Sequence, residues 1–179
     1  MNTLKEKFNK EIKNNLVKEM SLNNIWAVPV IKKVVLNMGI GNFKGDKSFK
    51  ESAVLDLSLI AGQKPIIRKS KKAISNFKLR KGEDVGISVT LREEKMWDFL
   101  QNLISVALPR IRDFRGLPAT SFDKNGNYSF GIKEHIVFPT IDSGRIDRIK
   151  SFQITINTTA KSDKDALILL KSLGVPFKK

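Results

Sequence analysis

Three stretches of this chain alternate apolar and polar side chains one residue at a time. Val34, Leu36, Met38 and Ile40 alternate with Lys33, Val35, Asn37 and Gly39. Val85, Ile87, Val89 and Leu91 alternate with Gly86, Ser88 and Thr90; Phe152, Ile154 and Ile156 alternate with Gln153, Thr155 and Asn157. A period of two sends successive side chains to opposite faces of a sheet, so each stretch predicts a strand with one buried face. The other face then carries short polar groups and a lysine. An ordinary solvated sheet surface favours longer charged side chains. Short amides and hydroxyls instead let a nucleic-acid backbone come close and offer hydrogen bonds to phosphate and ribose.

Elsewhere the apolar period becomes helical. Residues 1–20 place Leu4, Phe8, Ile12, Leu16 and Met20 four apart. Residues 48–61 carry Ala53, Val54, Leu57, Ile60 and Ala61 on one stripe, with capping-box spacing at Ser48 and Glu51 and Gly62 at the C′ position. Residues 93–108 repeat Met96, Trp97, Leu100, Leu103, Ile104, Ala107 and Leu108, with Thr90 and Glu93 as a capping pair, Pro109 as the stop and Trp97 in the core. Residues 162–173 repeat Ala166, Leu167, Leu169, Leu170 and Leu173 behind a Ser162–Asp165 cap, and Gly174 and Pro176 end them. A short strand is expected over 64–68. The turn Asp123-Lys124-Asn125-Gly126-Asn127 between Phe122 and the alternating 128–133 predicts a hairpin. Asp142 and Asp147, flanking Ser143-Gly144-Arg145, read as a surface loop with ion pairs. There is no strict βαβα order. The pattern therefore predicts a single domain over 1–179 of α+β class: a largely antiparallel sheet with helices packed on one face, a polar other face, and a long basic loop.

That loop is residues 62–82. Lys64, Arg68, Lys69, Lys71, Lys72, Lys78, Arg80 and Lys81 fall there with no Asp or Glu. A second basic cluster, Arg110, Arg112 and Arg115, surrounds Asp113 and Phe114. Over the whole chain 33 Lys and Arg stand against 18 Asp and Glu, a net charge of +15. Such an imbalance in a chain with enough apolar content to fold points to a phosphate backbone as the partner. Phe77 and Phe114 can stack on a base or ribose, or pack into the core. The glycine ends make 62–82 an arm that orders on RNA.

Other chemistries fail on specific residues. Cysteine is absent, which removes disulfides and thiolate metal sites. The single histidine, His135, stands before an apolar run and reads as a structural or surface residue. Gly39–Gly45, GIGNFKG, misses the dinucleotide fingerprint because its third glycine would have to be at position 44; a glycine turn explains it. Glu93 and Glu94 belong to a helix start, and no carboxylate pair stands out for acid–base work. No apolar run approaches the roughly 18 residues that span a bilayer, and residues 1–20 have no apolar signal core. No catalytic residue, metal ligand or cofactor is assigned. An RNA-processing enzyme would need a carboxylate cluster near the basic loop, and a membrane-surface module is the weaker rival.

Six ordered blocks carry a family resemblance: LNMGIG (36–41), AGQKPIIRKSKKAISNFKLRKG (61–82), VTLREEKMWDF (89–99), LPRIRDFRGL (108–117), SFDKNGNYSFGIKEHIVFP (121–139) and TINTTAKSD (155–163). They run essentially end to end and resemble the bacterial ribosomal protein family, number five of the large subunit, that carries the 5S rRNA. The resemblance implies a non-enzymatic structural component of the central protuberance, cytoplasmic and in the ribosome. It implies 5S rRNA contacts at Lys33, Asn37, Gln63 and Thr90. It also implies an arm, Lys69, Lys71, Lys72, Asn76, Lys78 and Arg80, that reaches peptidyl-site tRNA. A bridge surface at Arg110, Arg112 and Arg115 and the nearby hairpin would meet a small-subunit head protein. Large-subunit rRNA and other 5S-associated ribosomal proteins complete the implied partners, with no cofactor and no membrane. Arg68 departs from the family, which often carries a small hydroxyl residue there.

Overall fold

The computed structural model of the chain describes residues 3–43, 46–142, 144 and 148–178. The first two residues of the expected N-terminal helix, the Lys44-Gly45 end of the glycine turn, and Ser143, Arg145 and Asp147 of the expected ion-paired loop lie outside them. The fold is α+β. Strands β1 (Ile31–Gly39), β2 (Ile66–Lys69), β3 (Asp84–Leu91), β4 (Tyr128–Ile132) and β5 (Phe152–Thr158) form one open antiparallel sheet in the order β2-β3-β1-β5-β4. Alternation is obeyed closely. Val34, Leu36, Met38 and Ile40 are buried while Asn37 and Gly39 are exposed; Phe152, Ile154 and Ile156 are buried while Gln153 is exposed. On β3, Ile87, Val89 and Leu91 are buried, and Val85 is half-buried.

The chain divides into two compact units. The first comprises Met1–Val34, Leu91–Phe130 and Thr155–Lys179. It contains helix α1, built from Leu4–Lys7, a π-helical Phe8–Ile12 and Lys13–Glu19, and capped by the Thr3 hydroxyl. Apolar residues spaced four apart overshoot a 3.6-residue turn by about 40° per step. The π turn, closed by Lys13 N–H to Phe8 O, slows that drift and keeps Phe8 and Leu16 buried. Phe8 packs against Trp97 of helix α3 (Glu93–Asn102) in a tilted pair, 5.2 Å between centroids. Trp97 is thus half-buried under α1 and not fully in the core. Two features of α3 differ from expectation. Its N-cap position is Arg92, with no side-chain bond to the helix end, so Thr90 and Glu93 form no capping pair. It also runs on through a π turn, Leu103–Ala107, and a 3₁₀ turn, Leu108–Arg110, and Pro109 takes an opening position of that 3₁₀ turn, where no N–H of its own is needed. The hairpin forms as expected: Phe122 bridges Tyr128, and Asp123 accepts from the N–H groups of Asn125 and Asn127. Tyr128 is fully buried; burial pushes its phenol up to about 12, and its hydroxyl donates to Pro118 O at 2.8 Å. Helix α4 (Asp163–Ser172) starts on Ser162, which accepts from Asp165 N–H, and stops at Gly174.

The second unit comprises Val35–Thr90 and Gly131–Ile154. Its helix α2 (Lys47–Ala61) is capped ahead of Ser48: Asp46 Oδ1 accepts from Phe49 N–H at 3.0 Å. An aspartate just before the helix satisfies that donor and leaves the Ser48–Glu51 pair without a capping role. Gly62 closes the helix in the left-handed region at φ 60°, as its C′ position requires. The α2 stripe buries Phe49, Ala53, Leu57, Ile60 and Ala61, with Val54 half-buried. It also buries Asp56, whose Oδ2 accepts from Lys150 Nζ at 2.5 Å; that ammonium also donates to Ser52 Oγ at 2.7 Å. His135, fully buried, accepts at Nδ1 from Lys150 N–H at 3.1 Å, so its neutral-state proton sits on Nε2, 3.3 Å from Asp56 Oδ2 and poorly aligned with it.

Burial holds the His135 imidazole below its ordinary pKa of 6.5 and the Lys150 charge adds to the effect; Asp56 opposes both. The unfolded chain therefore takes up this proton first on acidification. Stability is full above about pH 6.5 and falls as pH drops from there toward the native value. Urea midpoints should be lower at about pH 5.5 than at about pH 7.5, and His135→Asn should flatten the difference. Equal wild-type midpoints would contradict the assignment. Asp56→Ala should cost about 3–5 kcal/mol, because it strands the Lys150 ammonium in a buried site.

Candidate nucleic-acid interface

The polar face of the sheet is built around β1 and β3. A Cβ added to Gly86 would stand 3.3 Å from Met38 O and 3.8 Å from Asn37 Oδ1, so Gly86 turns toward Asn37. Thr90 has the same parity as Gly86 and lies on that face, half-buried. Asn37 is exposed. Gln63 follows the left-handed Gly62 and is half-buried. Strands β2 and β3 pair antiparallel with Ile66 opposite Ser88, a register that carries the chain before β2 toward the Thr90 end of β3. The second unit therefore collects Asn37, Gln63 and Thr90 on neighbouring elements. Lys33, half-buried, belongs to the part of β1 in the first unit. Asn37, Gly39, Lys133 and Gln153 line a shallow concavity of about 420 Å³.

This face is less open than the alternation implied. Gly86 and Ser88 are buried. Arg68 sits opposite Gly86 and donates from Nε to Ser88 Oγ at 2.7 Å, and a bulge follows between Arg68 and Lys69. Arg68 therefore covers this end of the face. Because β2 is an edge strand, its Arg68 and Lys69 also discourage pairing with another sheet.

Beyond β2 the basic loop is a closed hairpin rather than a loose arm. Ser70 N–H reaches Glu83 O at 2.7 Å, and Gly82 N–H returns to Ser70 O at 2.9 Å. Ile74 and Leu79 exchange both backbone bonds, at 2.9 and 3.0 Å, around a 3₁₀ turn of Ser75–Phe77. Lys69, Lys71, Lys72, Asn76, Lys78 and Arg80 are all exposed. Phe77, at the tip, is 71% exposed, which removes its core reading. The acid that follows the loop in sequence, Glu83, accepts from Arg80 N–H and so sits at the base of the hairpin, away from its tip.

Arg110, Arg112 and Arg115 are exposed on the first unit, with Phe114 half-buried among them. The segment is tied to the C-terminal strand-like stretch. Leu117 N–H donates to Pro176 O at 2.8 Å, and Lys178 N–H to Leu117 O at 2.9 Å. Gly116, at φ 99°, lies so close that a Cβ would meet Lys178 N at 2.6 Å.

No cluster of metal-ligating side chains occurs among the described residues, and His135 is locked in the buried network above. No described helix is long and apolar enough to cross a membrane. One surface feature escaped the sequence reading: Trp26, which no apolar period includes, is 82% exposed.

Comparison with known proteins is consistent from end to end. Residues 24–80 match the family model for ribosomal protein L5, and residues 84–177 match the model for the C-terminus of that same ribosomal family. The large ribosomal subunit protein uL5 of Malacoplasma penetrans is 51% identical over 98% of this chain and 94% of its own length. Those of Brachyspira hyodysenteriae and Psychrobacter cryohalolentis are each 49% identical over 99% of this chain, covering 95% and 100% of their own lengths.

Gly116→Ala tests how firmly the arginine segment is held. Left-handed strain plus a backbone clash should lower stability by about 1–3 kcal/mol in urea unfolding. An unchanged midpoint would mean that the segment gives way freely.

Proposed function

We propose, for a chain that belongs to the ribosomal protein L5 family and is a non-enzymatic structural constituent of the large ribosomal subunit, that it binds 5S rRNA and seats it in the central protuberance. The observation that carries this reading is the exposed Asn37 amide on a sheet face of short polar groups, with Gly86 of the neighbouring β3 turned toward it and Thr90 further along β3 on the same face. Asn37, Gln63 and Thr90 supply directional hydrogen bonds to phosphate, ribose or base edges, and Lys33 adds a point charge. Such contacts fix orientation, whereas charge alone does not.

The hairpin arm contacts a second RNA, the tRNA in the peptidyl site. Its preformed backbone supports this: little chain entropy remains to be lost when Lys69, Lys71, Lys72, Asn76, Lys78 and Arg80 meet phosphates. Phe77, displayed at the tip, is placed to stack. Arg110, Arg112 and Arg115, on a segment pinned by Leu117 and Gly116, form the bridge to a small-subunit head protein, where guanidinium groups suit carboxylate partners. Other 5S-associated ribosomal proteins complete the neighbourhood.

Binding of the full-length chain to 5S rRNA should weaken steeply with added salt, because each phosphate contact releases counterions. Asn37→Ala should cost about 1–3 kcal/mol of 5S affinity. Lys72→Ala should cost less on 5S rRNA and more on tRNA occupancy of the subunit. Equal 5S losses for both variants would argue against separate sheet and arm roles, and salt-independent binding would remove the proposal.

A further inference from the structure

Trp26 is 82% exposed and its neighbour Ile25 39%. A side chain this large rarely stands so far out of a folded surface. Its backbone is not loose. Ile25–Ala27 form a 3₁₀ turn in which Asn24 Oδ1 accepts from Trp26 N–H at 2.9 Å and Asn24 O accepts from Ala27 N–H at 3.0 Å. Lys13 of α1 places its Nζ 4.6 Å from the indole centroid. Beside the ring, Met20, Leu22, Val28 and Pro29 line a concavity of about 380 Å³ together with the polar Thr159, Lys161 and Asp165. The one acid among them, Asp165, accepts from the Ser162 hydroxyl at 2.8 Å, and its charge stands against the two ammonium groups of Lys13 and Lys161.

We propose that Trp26 and this groove receive one unstacked base of the large-subunit rRNA, with Lys13 and Lys161 meeting the flanking phosphates. An aromatic ring offers a base a stacking face regardless of its identity, and a nearby ammonium neutralises the attached backbone. An apolar protein anchor fits less well. It would strip water from the Lys13 ammonium and supply no counter-charge, whereas a nucleotide supplies a ring and an anion together. The groove is separate from the residues proposed for 5S rRNA on the second unit, so it adds a contact that the sheet face and the arm do not provide.

The chain contains two tryptophans. In a Trp97→Phe background Trp26 is therefore the sole indole reporter. The full-length variant is titrated with deproteinised large-subunit rRNA, including the 5S species, at low salt. Trp26 emission should be quenched at saturation. Trp26→Leu, which keeps the apolar bulk and loses the stacking face, should weaken binding on the order of tenfold, and Trp26→Phe should recover most of it. Quenching that survives Asn37→Ala would show this contact to be independent of the sheet face. Emission unchanged at saturation would overturn the proposal, as would Trp26→Leu binding as tightly as Trp26→Phe. An emission change produced by large-subunit proteins and not by RNA would overturn it in favour of a protein occupant.

Discussion

The two-sidedness of β1, β3 and β5 is what holds the rest of the structure in place. Leu36, Ile87 and Ile154 are fully buried, each on a strand whose neighbouring residues face the other way. A slip of one residue in any of these strands would drive an amide, a hydroxyl or a lysine into the apolar layer and push a leucine or isoleucine out. The register that keeps the core dry is therefore the same register that presents Asn37 and Thr90. In this chain the proposed binding chemistry is the reverse side of the packing, which is why short neutral residues can occupy a sheet face without weakening the fold.

Net charge plays a different part. A surplus of +15 attracts any polyanion at long range but carries no orientation. Orientation comes from where the backbone holds the cations. The arm is braced by paired bonds between Ile74 and Leu79, and the arginine segment by Leu117 and the close approach of Gly116 to Lys178. The two basic clusters are thus held by backbone hydrogen bonds on different units.

Much of this was legible in the sequence because it follows local periods. The alternating strands, the four helices, the Gly62 and Gly174 stops and the hairpin over Asp123–Asn127 each follow from a few adjacent residues. The misreadings have one cause, competition from outside the window considered. Asp46 took the cap assigned to Ser48. Helix α1 covered Trp97 only in part. Arg68 crossed to β3 and closed over Ser88, narrowing the polar face. Asp56 and Lys150, 94 residues apart, pair in the core, and no local pattern announces a buried ion pair between a helix and a distant loop. The arm looked loose because lysine-rich composition suggests repulsion, while the backbone bonds that close it leave no trace in composition. Of the proposed contact residues, Asn37 and Thr90 were visible by alternation. Gln63 was visible only by family resemblance, and Trp26 by neither.

A sheet face and a basic arm of one small chain are proposed to hold two different RNAs. Site-specific photo-cross-linking in intact large subunits carrying peptidyl-site tRNA separates the two, with a photoreactive residue at position 37 in one sample and at position 77 in another. Position 37 should cross-link to 5S rRNA and position 77 to tRNA. Both positions labelling the same RNA, or position 37 labelling none, would refute the division of roles.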